Sequence, residues 1–151
     1  MRETARWLDD QEGHLWRTWM KVNAQLAATL QRDLQADSGL SMPDFEVLVH
    51  LTDDPDGRLR VSDLASLLHW DRSRLSHHVK RMEGRGLVGR RDCSEDGRGS
   101  FVVVTAAGRA AIEHAAPGHV ESVRRLVFDL LTPDQVARLS DVMDTLAAER
   151  A

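Results

Sequence analysis

The sequence predicts a mainly α-helical fold that carries one small β-hairpin, and three observations predict it. Apolar residues recur at three- and four-residue spacing over most of the chain, the helical period. Only two short segments, "LVGRRDC" and "SFVVVT", are β-prone, and an Asp-Gly turn separates them. The joints between the periodic stretches carry helix-capping residues and prolines rather than long loops. With 151 residues the chain is read as a single module, 1–151, large enough to bury a core without a disulfide or metal staple.

The elements follow in order. Leu15, Trp19, Val22, Leu26 and Leu30, extended by Trp16 and Leu34, form the stripe of one long amphipathic helix that ends near "ADSG". A second helix opens at Ser41 as N-cap with Pro43 in its first turn, and buries Phe45, Leu48, Val49 and Leu51. "DDPDG" ends it. "VSDLASLLH" reads as a short helix capped by Ser62, with Leu64, Ala65 and Leu68 facing inward. "HWD" connects it tightly to a helix capped by Asp71 that runs to "EGRG", where Gly86 suits the left-handed closing position. The hairpin follows. Thr105 caps a further helix, which "APG" at 116–118 is expected to kink before it resumes as "HVESVRRLVFDLL". "TPDQ" is a capping box of Thr132 and Gln135 with Pro133 at the first helical position, and it starts a last helix bearing Val136, Leu139, Met143 and Leu146.

Composition narrows the function classes. The chain is 42% hydrophobic and 29% charged, and no apolar run approaches the roughly 20 residues that span a bilayer. Its N-terminal "MRETARWLDDQEGHLW" lacks the apolar region and small-residue cleavage site of a secretory signal, so no membrane association and a cytoplasmic location are expected. Cys93 stands alone, which excludes an intrachain disulfide, and no Cys-x-x-Cys spacing offers zinc ligands. The net charge of −4 is unevenly spread: residues 58–109 hold 11 Lys or Arg against six acids, while the remainder is strongly acidic. A basic centre between acidic ends is the footprint of a module that meets phosphate with its middle.

Helix, helix, short helix, turn, helix and basic hairpin is the order of a winged helix-turn-helix. The segment "LASLLHWDRSRLSHHVKRMEGRGLVGRRDCSEDGRGSFVVVTAAG" resembles the MarR family of multiple antibiotic resistance regulators. The resemblance is most specific in Asp96-x-Arg98, in Thr105 and in "RMEGRGLVGR", and extends more loosely over nearly the whole chain through the long first helix, the Ser41-x-Pro43-x-Phe45-x-Val47-Leu48 opening and the two C-terminal helices. It implies a winged helix-turn-helix lobe, 41–109, flanked by dimerisation helices at 5–36 and 110–150. It also implies a homodimeric transcription regulator, a repressor released by a small aromatic or anionic effector, with palindromic double-stranded DNA as its partner.

On a helical wheel Leu75, Val79 and Met82 fall together, and Ser73, Arg74, Ser76, His77, Lys80 and Arg81 spread over the opposite arc, the candidate groove face. Arg74 and Arg81 can reach guanine edges or phosphates, the two serines can bond phosphate or base, and Lys80 suits a backbone phosphate. His77 is placed near the centre of that face and His78 about 100° away, on a shoulder beside the core. Adjacent helical residues do not converge on one ion, so this pair is not read as a metal site. Arg98, just past the Asp96-Gly97 turn, is placed in the minor groove, and the resemblance implies that Asp96 supports the wing, with a plain turn-forming role as the alternative. Arg90 and Arg91 alternate along a strand, so at most one shares the DNA surface.

The resemblance puts effectors between the dimer helices and the DNA-binding lobe, which singles out Trp16, Trp19, Met20, Asn23, Phe45, Val49 and His50; an ordinary core role competes for the tryptophans. No cofactor is expected. No Gly-rich phosphate loop, Gly-x-Ser-x-Gly elbow or His-Glu-x-x-His is present, and catalysis is not expected. Two alternatives remain open: a DNA-coating or protein-interaction module on the same fold, and a redox-responsive regulator using Cys93.

Overall fold

A computed structural model describes residues 5–92 and 99–149 of the chain. Helix α1 spans Asp10–Ser38, α2 Met42–Asp53, α3 Val61–Leu67, α4 Arg72–Gly84, α5 Ala106–Leu126 and α6 Pro133–Ala148. Strands β1 (Arg58–Arg60), β2 (Val88–Asp92) and β3 (Ser100–Val104) form an antiparallel sheet in the order β1-β3-β2. The mainly helical winged helix-turn-helix architecture is thus present: α3 and α4 are the helix pair, and β2 and β3 are the wing strands.

Local chemistry explains where the helices begin. Asp9 and Glu12 make a capping box at the start of α1, Ser41 and Asp44 a second at α2, and Thr132 and Gln135 a third at α6. Asp71 accepts from the Arg74 N–H at 2.7 Å and starts α4. Gly39 and Gly86 take left-handed angles at φ 70° and 74°, where a side chain would be strained, and end α1 and the α4 turn. Thr105 accepts from the Gly108 N–H at 3.0 Å and donates to the Gly86 carbonyl at 2.6 Å, so one hydroxyl ties α5 to the end of the recognition turn.

Three readings change. Ser62 does not cap α3: the cap position is Arg60, whose side chain does not cap the helix, and the Ser62 hydroxyl lies one residue inside it. What stands before α3 is β1, a strand of only three residues, "RLR", too short to show alternation. Pro117 does not interrupt α5, which runs continuously past it to Leu126 before a 3-10 turn at Phe128–Leu130. The tight connection expected between α3 and α4 is present, and it uses His69 at φ 54°, a left-handed position occupied by a side-chain-bearing residue.

The core is centred on α2, α3, α4 and the sheet, with Leu34 of α1, Leu40, and Ile112 and Ala115 of α5 at its edge. Val47, Leu48 and Leu51 of α2, Leu64 of α3, Leu75, Val79 and Met82 of α4, and Val102 of β3 are fully enclosed. These side chains fix the angle between α3, α4 and the sheet. The outer helices are different, for α6 buries none of its residues and α1 buries only Gly13 and Leu34. Where α1 and α5 cross, Ser122 and Arg125 both donate to Asp33, at 3.1 and 2.8 Å. No helix among the described residues is long and apolar enough to cross a membrane.

Candidate nucleic-acid interface

Helix α4 presents two chemically distinct sides because its sequence separates them at helical spacing. Leu75, His78, Val79 and Met82 are buried, and Arg72, Ser73, Arg74, His77, Lys80 and Arg81 are exposed. The groove-face candidates therefore share one solvent-facing surface, except that Ser76 is half-buried. The two neighbouring histidines separate. His77 is exposed, whereas His78 is 7% exposed, belonging to the core rather than to its shoulder.

The reason His78 tolerates burial is its partners. Its Nε2 lies 2.9 Å from Asp44 Oδ1, its Nδ1 lies 3.0 Å from Arg81 Nη2, and the edge of Trp70 packs against it with ring centroids 5.4 Å apart. Asp44 is itself 3% exposed and also receives the Arg85 guanidinium at 2.6 Å and the Ser41 N–H at 3.0 Å. Burial alone would raise the Asp44 carboxyl, but the bonds from His78, Arg85 and Ser41 and the Arg85 charge outweigh it and hold the group well below the usual carboxylate range. Among the described residues no three His, Cys, Asp or Glu side chains converge as a metal site.

Other basic residues around α4 are braced. The Arg74 guanidinium stacks 4.1 Å above the Trp70 ring, which orients it along the helix start. Arg90 on β2 turns to the recognition helix, donating to the Ser76 carbonyl and hydroxyl at 2.9 Å each and lying 3.6 Å from Glu83. It thereby joins wing to helix and leaves Arg91, on the other strand face, exposed. Arg60, Ser62, Arg72, Ser76, Arg90 and Ser100 line a cleft of about 430 Å³ between α3, α4 and the wing. Of these only Ser76 stands out on the sequence wheel; the others come from separate elements, and no single periodic pattern could have gathered them. Cys93, Asp96 and Arg98 lie outside the described residues.

The effector candidates do not come together in one chain. Phe45 and Val49 line a cleft of about 380 Å³ with Thr52, Asp53, Arg109, Ile112, Glu113 and Ala116. Trp16, Met20 and Asn23 are exposed on the first half of α1, Trp19 is half-buried there, and His50 is half-buried on α2 outside that lining. The physical reason is that α1 is 29 residues long and its first half extends past the lobe. Phe45 packs instead against His119, with ring centroids 4.7 Å apart, and burial lowers the His119 pKa below its ordinary 6.5.

Comparison with known proteins gives this geometry its context. Residues 38–99 match the model of the MarR family. The chain is 43% identical to AbsC, a MarR family transcriptional regulator from Streptomyces coelicolor, over 96% of this chain and 97% of that one, with a TM-score of 0.91. It is 40% identical to Sco3205, a MarR family regulator of the same organism solved in complex with DNA, over 96% and 94% of the two chains, again with a TM-score of 0.91. The transcriptional repressor YetL of Bacillus subtilis is 27% identical over 115 residues, 74% of this chain and 69% of that protein. Family model, full-length identity and the helix-turn-helix with its basic outer face agree: this chain belongs to the MarR family and is a DNA-binding transcription regulator.

Proposed function

We propose that the chain acts as a homodimeric repressor that occupies a palindromic operator, with α4 in the major groove and the wing at the flanking minor groove. The observation that carries this reading is the exposed arc Ser73, Arg74, His77, Lys80 and Arg81 on a helix whose opposite side is locked into the core. One such helix makes few base contacts, so specificity calls for two of them about one duplex turn apart. The unburied apolar side chains of the ends support the dimer. Trp16, Met20, Val142 and Met143 stand 56%, 51%, 49% and 39% exposed, and a symmetric partner would cover them. In this reading residues 41–109 are the DNA-binding lobe and 5–36 with 110–150 the dimerisation region. Arg98 reaches the minor groove with Asp96 as its support.

The same reading assigns release to a small aromatic or anionic effector held where a second subunit closes over Phe45, Val49 and the α1 tryptophans. The test is footprinting on DNA upstream of the chain's own gene. A regulator protects a short inverted repeat, and its affinity falls steeply with added salt. Uniform protection without a preferred site would mark a coating protein instead, and release of a bound operator fragment by aromatic acids would identify the effector class.

A further inference from the structure

Asp44, His78 and Arg81 form a relay from the buried first turn of α2 to the exposed face of α4. Asp44 is anchored from the other side by Arg85, whose second nitrogen also donates to the Gly39 carbonyl at 3.3 Å, at the end of α1. The chemistry of the partners gives the relay a direction. A guanidinium only donates, so His78 Nδ1 must offer Arg81 a lone pair, and the ring proton then belongs on Nε2, which lies 2.9 Å from the Asp44 carboxylate though not in line with it for a full hydrogen bond. Trp70 packs edge-on against the ring at 84°.

We propose that His78 is a positioning residue for DNA binding: held in one tautomer by Asp44, it sets the orientation of the Arg81 guanidinium on the groove-facing surface. The proposal rests on the reading of α4 as the helix that meets DNA. His78 is buried and cannot reach a base itself, while Arg81 is exposed and spends one of its five N–H donors on His78. A long side chain ordered before binding loses less rotamer freedom on the DNA. Asp44, Arg74 and Arg85 are the other charged groups that line, with His78 and Arg81, a cleft between α2 and α4, and the donor to His78 Nδ1 is Arg81.

A double-mutant cycle on operator affinity tests this. His78→Phe is expected to weaken binding about three- to tenfold, the scale of one unordered long side chain, and to add nothing further in an Arg81→Ala background. Additive losses would overturn the proposal. Should His78→Phe unfold, His78→Gln supplies the same cycle, since its amide can donate to Asp44 and accept from Arg81; it is expected to keep affinity within about twofold of the parent, and a loss as large as Arg81→Ala would count against the relay. Ring nitrogen shifts of the DNA-free dimer give an independent readout, with the Nε2–H tautomer expected and an Nδ1–H ring overturning the proposal. Arg81→Ala with unchanged affinity would overturn the DNA-face reading and this proposal together, whereas the wrong tautomer sinks the proposal alone.

Discussion

The lobe and the two ends of this molecule solve the burial problem differently. In the lobe, 60-odd residues enclose Leu48, Leu51, Leu64, Leu75 and Met82 completely, and even a carboxylate and an imidazole, Asp44 and His78, are taken inside side by side, 2.9 Å apart. In the ends, α6 and the first half of α1 carry equally apolar stripes and leave Leu15, Trp16, Val142 and Leu146 between 37% and 62% exposed. A stripe at helical spacing that remains open in one chain is the surface that the proposed dimer would cover. The lobe's order is intramolecular, whereas in the proposed dimer the order of the ends depends on assembly and so on concentration.

The largest effect that separates the regions belongs to the buried charge. Asp44→Ala removes the acceptor of both His78 and Arg85 and is expected to cost about 3 to 5 kcal/mol of lobe stability, measured by denaturant unfolding. A pH series refines this. The Asp44 carboxyl is depressed in the folded state, so its contribution is complete above the ordinary carboxylate value of 3.8 and disappears as pH falls from there toward its lowered one. The acid limb of the stability curve should therefore be shallower in Asp44→Asn than in the parent, and identical acid limbs would contradict the pairing.

A change in the ends should do the opposite. Leu139→Glu with Met143→Glu places two carboxylates on the exposed stripe of α6 and is expected to raise the dimer dissociation constant at least ~100-fold, about 2.7 kcal/mol. Sedimentation reads the assembly, and retained cooperative unfolding of the lobe is the accompanying expectation. Loss of lobe folding with the dimer would erase the distinction between the two regions.

Within the lobe, the outer face of α4 can be separated from the core behind it. Arg81→Ala and Arg98→Ala are each expected to lose about 1 to 3 kcal/mol of operator affinity, with the dimer intact. Equal affinity of both variants and parent in a salt-controlled binding assay would remove the assigned face. Lys80→Ala should instead weaken all sequences alike and lower the salt slope by about one.

How far the sequence carries differs between these regions for a physical reason. Helix stripes, caps such as Asp71 and Thr132, and the hairpin are local, set by residues within one or two turns, and their positions in the sequence match their positions in the fold. The wheel separated Leu75, Val79 and Met82 from Arg74, His77 and Arg81 because amphipathicity is periodic. It placed His78 on the shoulder because a wheel sees angle and polarity but not the Asp44 carboxylate, 34 positions earlier in the chain, that makes burial of an imidazole affordable. Arg90 was likewise legible only as an alternating strand residue, since its bond to Ser76 depends on how the wing folds back. The effector candidates on α1 and α2 stand apart in one chain, and under the proposed function a second chain is what would join them.

The smallest effect concerns the turn that sets the angle between α3 and α4. The Trp70 N–H bonds back to the Ala65 carbonyl at 2.9 Å and the His69 N–H to the Ser66 carbonyl at 3.1 Å, a closure that requires His69 at φ 54°. A side chain there costs about 1 to 2 kcal/mol in the left-handed region, and glycine removes that strain but gives back part of the gain in the entropy of the unfolded chain. His69 is exposed, so little packing is lost with it. His69→Gly is therefore expected to stabilise the lobe by about 0.5 to 1 kcal/mol, seen as a higher denaturant midpoint at unchanged slope, with dimerisation untouched. Destabilisation would mean that the His69 side chain supports the turn, and that the strain is offset by a contact the glycine has removed.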